Sequence, residues 1–427
     1  MITLFSVFAV TVFLGVPVAF CLGLGFLGFI LLDPSTSLSI VPTLFFGGID
    51  SFALLAIPLF VLAGFLVRES GVLGQLVDLA ESMVGHIRGG LALVNVIVSM
   101  LFAGVSGVAL ADTAAVGSML IPPMIEEGYD RKFSAVVTAS SSIVGPIIPP
   151  SVAMIIYAFT AGGMSVAGLF MAGMVPGIIV GLGFMALSYY ISVKRGYPLI
   201  HDNFSIMRML RSARGAILGL LVPVIILGGI VSGMFTPTEA GGIAVAYALL
   251  VGLIVTRELT FSKIYKCFLD TAKTSATVFV MLATARVVAW ILTANQVPQQ
   301  LANMLLSVTE NPQIFLILSL TFLLFLGFVL EAVATLVMLV PILAPVAAQF
   351  GVNPYHFGLL FVMTIQIALI TPPVALGLFV VTNLADTSIE EVMSDVWPYL
   401  AVGFGLILFI ALFPQISLFV PRLLGFF

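Results

Sequence analysis

Charged residues are scarce in this sequence of 427 residues, and their scarcity excludes most soluble folds. Only 8% of the residues are charged, whereas 61% are hydrophobic and the mean hydropathy is +1.27. A soluble domain cannot bury so much apolar surface, but apolar runs of about 20 residues can cross a bilayer core of about 30 Å. The formal net charge of −4 provides no basic surface for nucleic acid. The composition therefore predicts an all-α polytopic membrane protein in a lipid bilayer, with no nucleic-acid partner.

Residues for metal binding and covalent catalysis are also few. The chain has two cysteines and three histidines, which are scattered and show no metal-ligand spacing. It has no P-loop, no nucleophile elbow and no HExxH motif. These absences argue against ATP hydrolysis and proteolysis. We expect a protein that is not an enzyme and that needs no cofactor.

Apolar runs predict the membrane topology. Spans are predicted at 3–32, 50–67, 132–163, 167–193, 215–233, 238–256, 273–294, 355–386 and 397–421. Two further apolar stretches, 90–125 and 313–349, have glycine-rich or polar centres and are predicted to be re-entrant hairpins. Two amphipathic pieces, 74–86 and 297–310, are predicted to lie along the membrane interface as arms.

Basic residues give an orientation to this layout. Thirteen of the 15 Lys and Arg residues fall on one side of it, and the two exceptions are Arg286 and Arg422. The positive-inside rule then predicts a cytoplasmic N-terminus and a C-terminus outside the cytoplasm.

Glycine and proline positions indicate an internal repeat. An offset of 223 residues pairs Gly104 with Gly327, Gly128 with Gly351, and the Pro-Pro pair at 149–150 with that at 372–373. With the predicted topology the two copies enter from opposite sides, which is the inverted-repeat architecture of many secondary transporters. We predict a first repeat at 1–195, a connector and linking helix at 196–236, and a second repeat at 237–427. Each repeat would contain one re-entrant hairpin and one broken helix.

The stretch 140–151, Ser-Ser-Ser-Ile-Val-Gly-Pro-Ile-Ile-Pro-Pro-Ser, cannot form an unbroken helix. Its prolines lack the N–H that a helix needs. One interpretation is a proline kink satisfied by neighbouring helices. The other is a discontinuous helix that binds an ion or a substrate, and the similar break at 371–373 favours it. The second interpretation assigns substrate contacts to Ser141, Ser142, Pro149, Pro150 and Ser151, and ion contacts to Gly145 and Pro146.

The turns of the predicted hairpins provide further oxygen atoms. Residues 104–113 read Gly-Val-Ser-Gly-Val-Ala-Leu-Ala-Asp-Thr. A hard cation such as Na⁺ prefers several oxygen ligands around a compact hole, so the Na⁺ contacts are predicted at Gly104, Ser106 and Asp112, with Ser106 also near the substrate. In the second half the candidates are Gly327, Thr335, Thr371 and Pro372. Asp112 could instead cap a helix. Glu331 could be neutral, or could take part in charge balance or proton coupling.

Arg286 lies inside an otherwise apolar span, where an arginine is costly unless it meets an anion. Three partners are open: a carboxylate of the protein such as Glu331, a lipid phosphate, or the carboxylate of a substrate. A guanidinium binds a carboxylate through two parallel hydrogen bonds, so Arg286 is also a candidate substrate-binding residue.

Four stretches resemble the large membrane subunit of tripartite ATP-independent periplasmic (TRAP) transporters, and the resemblance covers essentially the whole chain. They are 48–64, the turn 104–113, Gly-Pro-Ile-Ile-Pro-Pro-Ser at 145–151, and Thr-Pro-Thr-Glu-Ala-Gly-Gly at 236–242. The chain departs from the family pattern Gly-x-Ser-Gly-Ser at the hairpin, because it has Val108 in place of the last serine.

The resemblance implies Na⁺-coupled import of a small organic acid across the bacterial inner membrane. It also implies two partners, a small four-helix membrane subunit and a soluble periplasmic binding protein, and an elevator mechanism in which hairpins and broken helices move against a scaffold. The single Arg286 favours a sialic-acid-like carboxylate over a dicarboxylate. Two alternatives stay open: a stand-alone Na⁺ or H⁺ symporter that works as a homodimer, and a structural or ion-conducting membrane subunit.

Overall fold

The computed structural model of this chain describes residues 1–32, 37–200, 203–372 and 375–426, without the side chains of 105 and 106. These residues form twenty α-helices and no β-strand. Seven helices among them are long and apolar enough to cross a membrane. The prediction of an all-α polytopic membrane protein is confirmed.

The first ten helices contain the predicted first hairpin and the first broken helix. They are α1 (Ile2–Phe13), α2 (Val18–Leu32), α3 (Ile40–Gly47), α4 (Ala56–Glu69), α5 (Val72–Val84), α6 (Gly90–Ser106), α7 (Ala109–Glu126), α8 (Arg131–Ser142), α9 (Val152–Thr160) and α10 (Val166–Arg195).

The remaining ten helices contain the linking helix and the second half. They are α11 (Ile206–Val231), α12 (Pro237–Leu250), α13 (Phe261–Ala294), α14 (Val297–Val308), α15 (Pro312–Gly327), α16 (Ala332–Gln349), α17 (Pro354–Ala368), α18 (Leu376–Ala385), α19 (Ile389–Leu412) and α20 (Gln415–Leu423).

The N-terminal segment is not the single span that hydropathy predicts at 3–32. Gly15 has a φ of +77°, and Pro17 follows it, so the chain turns back between α1 and α2. The two helices pack against each other, and the turn at 14–17 is so short that they run antiparallel. A hairpin returns the chain to the side on which it began. The predicted cytoplasmic N-terminus depends on a single crossing at 3–32, which this hairpin does not provide.

Two other predicted spans have different bounds. The linking span predicted at 215–233 is α11, which begins at Ile206, so three arginines of the predicted connector lie on its first turns. The span predicted at 397–421 is α19, which ends at Leu412, followed by the short helix α20. The Ser417 hydroxyl of α20 lies 2.7 Å from Nδ1 of His356, which fixes α20 at the beginning of α17.

The two broken helices run antiparallel. Arg131 begins α8, and its guanidinium pairs with the carboxylate of Asp386, directly after α18, at 3.0 Å. At the other end, the ring of Tyr157 in α9 lies 5.6 Å from the ring of Phe361 in α17. The start of each broken helix therefore lies beside the end of the other, which is the geometry of an inverted repeat.

Packing between the halves is reciprocal. Helix α9 packs on the hairpin arm α16, and α18 packs on the hairpin arm α7. The repeat offset of 223 residues relates the starts of α7 and α16, of α8 and α17, and of α10 and α19. The repeat that glycine and proline positions indicate is therefore present as a repeat of helices.

Most basic residues collect at one end of the helices, here called the basic face. Arg195 at the end of α10 pairs with Asp130, just before α8. The backbone N–H of Ile200 donates to the carbonyl of Gly85, and Gly71 lies against Glu258. The hairpin α6–α7 begins and ends at this face. The hairpin α15–α16 begins and ends at the opposite face, where the ring of Phe315 stacks on that of Phe350 at 4.5 Å.

The helices form two packed groups. Helices α4, α11, α12 and α13 pack on one another and form a scaffold, together with α2 and α3 on α13. The hairpins, the broken helices, α10 and α19 form the second group. The amphipathic helix α5 joins α11 to α6, and α14 joins α13 to α16, so each connects the scaffold to one hairpin.

Candidate functional site

The tip of the first hairpin lies directly on the first helix break. Gly107 at this tip has a φ of +60°, and a Cβ there would lie 2.6 Å from the carbonyl oxygen of Pro150. The backbone N–H of Val152 donates to the carbonyl of Gly107 at 3.3 Å. Only glycine combines this left-handed backbone with so close an approach. The hairpin tip and the break are therefore in direct contact.

Asp112 brings a buried carboxylate to the same break. Its side chain is 0% exposed and lies against Gly145, where an added Cβ would overlap Oδ2 of the carboxylate. Helix α7 begins after Val108 and has no side-chain cap, so Asp112 is a first-turn residue rather than the N-cap. A buried carboxylate beside the carbonyls of a broken helix suits a hard cation.

Two other residues predicted at the first ion site have contacts of their own. A Cβ at Gly104 would lie 2.8 Å from Pro223 of the scaffold helix α11. The carbonyl of Pro146 accepts a hydrogen bond from the hydroxyl of Ser151 at 2.6 Å. The hydroxyl of Ser106, predicted to contact both ion and substrate, lies outside the described side chains, and Pro373 lies outside the described residues.

Ser151 serves as the N-cap of α9. Its hydroxyl oxygen accepts a hydrogen bond from the backbone N–H of Met154 at 3.2 Å while donating to Pro146. Both roles hold the break together, so the hydroxyl has a structural function beside its predicted substrate contact. The two prolines between these residues, Pro149 and Pro150, are joined by a cis peptide bond.

The Ser151→Ala variant is expected to lose about 1 kcal/mol of stability, the usual cost of losing an N-cap. Thermal unfolding of the detergent-solubilised protein measures this loss, and Ser165→Ala, at the matching cap of α10, is the comparison. Unchanged stability together with weaker substrate binding would instead show that Ser151 chiefly contacts the substrate.

The hydroxyls of Ser141 and Ser142 form hydrogen bonds with other groups of the protein and do not line a cavity described here. Ser141 accepts a hydrogen bond from Ser99 and donates to the side-chain oxygen of Asn95, each at 2.9 Å. Ser142 donates to the backbone carbonyl of Thr138 at 2.8 Å. This polar network joins α6 to α8, and sequence analysis did not identify it because a serine's direction depends on the helix register.

In the second hairpin and break, the residues that correspond to Asp112 and Gly145 are uncharged. Gly327 lies so close to Ala368 that a Cβ would overlap the alanine methyl group. The hydroxyl of Thr335 donates to the carbonyl of Glu331 at 3.0 Å, and that of Thr371 donates to the carbonyl of Ile367 at 2.8 Å. Pro372 follows in the turn. At the repeat offset Thr335 corresponds to Asp112 and Ala368 corresponds to Gly145. The first break therefore contains a carboxylate where the second contains a hydroxyl.

A cavity of about 450 Å³, here called the central cavity, lies where the two hairpin tips meet the scaffold. Val108 of the first hairpin tip and Glu331 of the second line this cavity, as does Val152 at the start of α9. The scaffold contributes residues of α4 and α13, among them Arg68, Thr274 and Thr277. Small-molecule sites are typically concave and apolar with a few polar groups, and this cavity has that character.

Arg286 does not lie in the central cavity. Its side chain is exposed and lines a second cavity of about 660 Å³, here called the outer cavity, with Asp50, Ser51, Trp290 and the end of α9. No ion pair between Arg286 and Glu331 forms within the described residues. Arg286 and the predicted substrate contacts at the break are therefore in different places.

Arg68 is the lining residue that sequence analysis missed. Among the described residues around the central cavity it is the only basic one. It was counted only as one of thirteen basic residues on the predicted cytoplasmic side. The sequence contained a usable signal, because Arg68 is the only Lys or Arg before the arm and lies at the end of a span.

Two antiparallel hairpin-and-break units that meet at a cavity beside a scaffold define a secondary transporter. The sequence comparison then gives the family. Residues 5–416 match the model of the DctM component of the tripartite ATP-independent periplasmic transporters, and the chain belongs to this family. The predicted resemblance is confirmed, and the chain is a transport permease, not an enzyme.

Relatives with known names agree with this assignment. The chain is 40% identical, over 96% of both chains, to the sialic acid TRAP transporter large permease protein SiaM of Vibrio cholerae. It is 38% identical to the C4-dicarboxylate large permease DctM of Pseudomonas aeruginosa, over 94% of this chain and 93% of that protein. It is also 38% identical to the isethionate permease protein DctMQ of Oleidesulfovibrio alaskensis, over 97% of this chain but 65% of that longer protein.

Solved transporter structures share the fold. The YdaH transporter of Alcanivorax borkumensis matches with a TM-score of 0.63 at 16% identity, over 93% of this chain and 90% of that one. MtrF of Neisseria gonorrhoeae matches with a TM-score of 0.62 at 16% identity, over 91% and 85%. At this identity the likeness extends to the fold alone.

Proposed function

We propose that this chain is the large membrane subunit of a Na⁺-coupled importer of a small organic acid. The observation that supports this most is the meeting of two inverted hairpin-and-break units at the central cavity. The relatives' names refer to sialic acid, isethionate and C4-dicarboxylates, which share an acidic group. A sialic-acid-like monocarboxylate is the first candidate, because SiaM is 40% identical.

Na⁺ is the proposed coupling ion, held at the first break. The Asp112 carboxylate and the carbonyls of the turn that contains Gly145 are the proposed ligands. Two features support the fit: the carboxylate is fully buried, and glycine at 145 leaves room for it. The second break, with Thr335 and Thr371, offers neutral oxygens for another ion.

An elevator mechanism is the proposed motion. The hairpins and broken helices pack as one group, the scaffold helices pack as another, and α5 and α14 connect them. A group that carries the substrate between its hairpin tips could shift against the scaffold while its internal contacts persist. A small four-helix membrane subunit and a periplasmic binding protein are the proposed partners.

The proposed location is the bacterial inner membrane with the basic face in the cytoplasm. The C-terminus then lies on the periplasmic side, because α20 packs at the beginning of α17. We place the N-terminus on the periplasmic side too, since α1 and α2 form a hairpin and the chain then crosses once, through α4, to Arg68.

Uptake into proteoliposomes tests the function. The chain is reconstituted with its small subunit, and the binding protein is loaded with N-acetylneuraminate, succinate or isethionate. We expect uptake of one of these under an inward Na⁺ gradient and none under a K⁺ gradient. Uptake at the same rate without the binding protein would instead support the stand-alone symporter.

The Arg286→Gln variant tests the role of the outer cavity. On the assigned topology this cavity opens towards the periplasm, where a guanidinium attracts an organic anion. Because the side chain is exposed, we expect only a severalfold rise in the external half-saturation concentration, as for a solvent-exposed ion pair worth up to about 1 kcal/mol. Arg422→Gln, on α20 outside that cavity, is the control, and equal kinetics for the two variants would exclude a role for Arg286.

A further inference from the structure

Arg68 lies between two cavities. It lines the central cavity beside the hairpin tips. It also lines a cavity of about 330 Å³ towards the basic face, with Glu69, Leu73 and residues of the hairpin arm α7 such as Ser118. Both cavities are bounded by the scaffold on one side and the first hairpin on the other. A solute that leaves the central cavity towards the basic face passes this side chain.

The guanidinium of Arg68 is only partly engaged. Its Nε and Nη2 atoms both donate to a single oxygen of Glu69, Oε1, at 3.3 and 3.2 Å. The guanidinium carbon also lies 5.2 Å from the centre of the Phe65 ring. A guanidinium can instead bind both oxygens of one carboxylate through two parallel hydrogen bonds. The contact with Glu69, its neighbour in the chain, uses only one oxygen and is the weaker arrangement.

We propose that Arg68 binds the carboxylate of the transported organic acid at the basic-face end of the route, where the substrate replaces Glu69. This inference rests on the proposed function. Glu69 neutralises the guanidinium when no substrate is present, and its displacement leaves Arg68 free to take the substrate through both oxygens. The exchange replaces hydrogen bonds only: no covalent bond is formed or broken, and no proton moves.

The position of Arg68 on the scaffold decides when it acts. Helix α4 packs on α12 and α13, within the scaffold, whereas the hairpin tips belong to the other group. If the hairpins and broken helices move relative to the scaffold, Arg68 contacts the substrate carboxylate only when the hairpin tips lie beside Arg68. Arg68 should therefore affect binding from the basic face and leave Na⁺ dependence and external binding unchanged.

Substrate exchange across the proteoliposome membrane tests this asymmetry. In Arg68→Gln we expect the internal half-saturation concentration to rise at least about tenfold, which is the effect of losing a hydrogen bond to a charged group. The external half-saturation concentration and the Na⁺ dependence should remain as in the wild type. Arg68→Lys should recover part of the loss, since it keeps the charge without the planar fork.

The neighbouring carboxylate provides a variant with the opposite effect. Glu69→Gln removes the group that competes with the substrate, so the internal half-saturation concentration should fall. Arg88→Gln, at the basic face but outside both cavities, is the matched control and should leave it unchanged. A purely structural role for Arg68 predicts that Glu69→Gln and Arg68→Gln change the value in the same direction.

A binding measurement separates this proposal from the transport function. The unfolding temperature of the detergent-solubilised chain is measured with N-acetylneuraminate, succinate or the uncharged N-acetylmannosamine. We expect one of the acids to stabilise the wild type more than Arg68→Gln, whose binding from the external side persists, whether or not uptake depends on Na⁺. Equal stabilisation of both proteins, or none of the wild type, would overturn the assignment of Arg68, whereas Na⁺-independent uptake alone would overturn only the coupling.

Discussion

Gly107→Ala is expected to reduce uptake at least about tenfold. The strained backbone of the alanine costs about 1–3 kcal/mol, and this strain destabilises the contact between the hairpin and the break. Alanine would have to adopt a φ of +60°. Its Cβ would also lie 2.6 Å from the carbonyl oxygen of Pro150 and 3.0 Å from the backbone N of Val152. These neighbours are backbone atoms within a proline-rich turn, so they cannot move aside as a flexible side chain would. The hairpin tip would separate from the break, and the proposed ion site would open.

Gly128→Ala provides the matched control for this variant. Gly128 also has a left-handed backbone, with a φ of +88°, but a Cβ there would meet no atom within 4 Å. Both variants therefore carry a similar backbone strain, and they differ in whether the new methyl group meets the break. Uptake by proteoliposomes is measured for both, at matched amounts of inserted protein. Equal activities would show that close contact between the tip and the break is not needed.

Asp112→Asn is expected to raise the Na⁺ concentration for half-maximal uptake at least about tenfold, as expected when a charged ligand of a buried cation is lost. The amide has nearly the shape of the carboxylate, so packing against Gly145 should persist. The change removes one formal negative charge from a fully buried position. Uptake is measured over a range of Na⁺ concentrations at constant ionic strength.

Asp78→Asn is the control for that experiment, because Asp78 is an exposed acid on the arm helix α5. We expect its Na⁺ dependence to match the wild type. The Asp112 assignment would be contradicted by an Asp112→Asn variant that transports with the wild-type Na⁺ requirement. A variant that shows no uptake at any Na⁺ concentration is compared with the wild type by Na⁺-dependent unfolding, which does not require transport.

The repeats are similar in backbone, but at the positions of the proposed ion site only the first repeat has a carboxylate. The offset of 223 residues holds for the starts of several helices, yet Asp112 corresponds to Thr335 and Gly145 to Ala368. Gly145 leaves room for the carboxylate of Asp112, whereas the methyl group of Ala368 lies against Gly327. We expect the first break to dominate the Na⁺ dependence and the second to contribute neutral ligands.

The fold class could be predicted because hydropathy, proline and glycine give clear patterns in this sequence. Proline and glycine have backbone effects that do not depend on neighbours, so the breaks and the repeat offset were visible in the sequence. Hydropathy failed at 3–32, because both helices of a hairpin are as apolar as one span. Only the turn at Gly15 and Pro17 distinguishes the two.

The site was less predictable than the fold. Sequence analysis predicted Asp112 and Gly145 for one ion site because both stand at a break or a turn, and in the structure the two residues are in contact. It could not show that Ser141 faces Asn95, because the direction of a side chain depends on how α6 and α8 pack. It named Arg286, the arginine inside a span, as a candidate for binding the substrate's carboxylate, and it did not single out Arg68, which lines the central cavity from the end of another span.

The most direct test of the account is whether Na⁺ binds at the first break. The unfolding temperature of the detergent-solubilised chain is measured in NaCl and in KCl at equal ionic strength, for the wild type and for Asp112→Asn. A ligand that binds only the folded state raises its stability by about 2.7 kcal/mol at one hundred times its Kd. We predict a rise in the unfolding temperature of the wild type that depends on Na⁺ concentration, absent in KCl and much reduced in Asp112→Asn. The same unfolding temperature for the wild type in both salts would contradict the account.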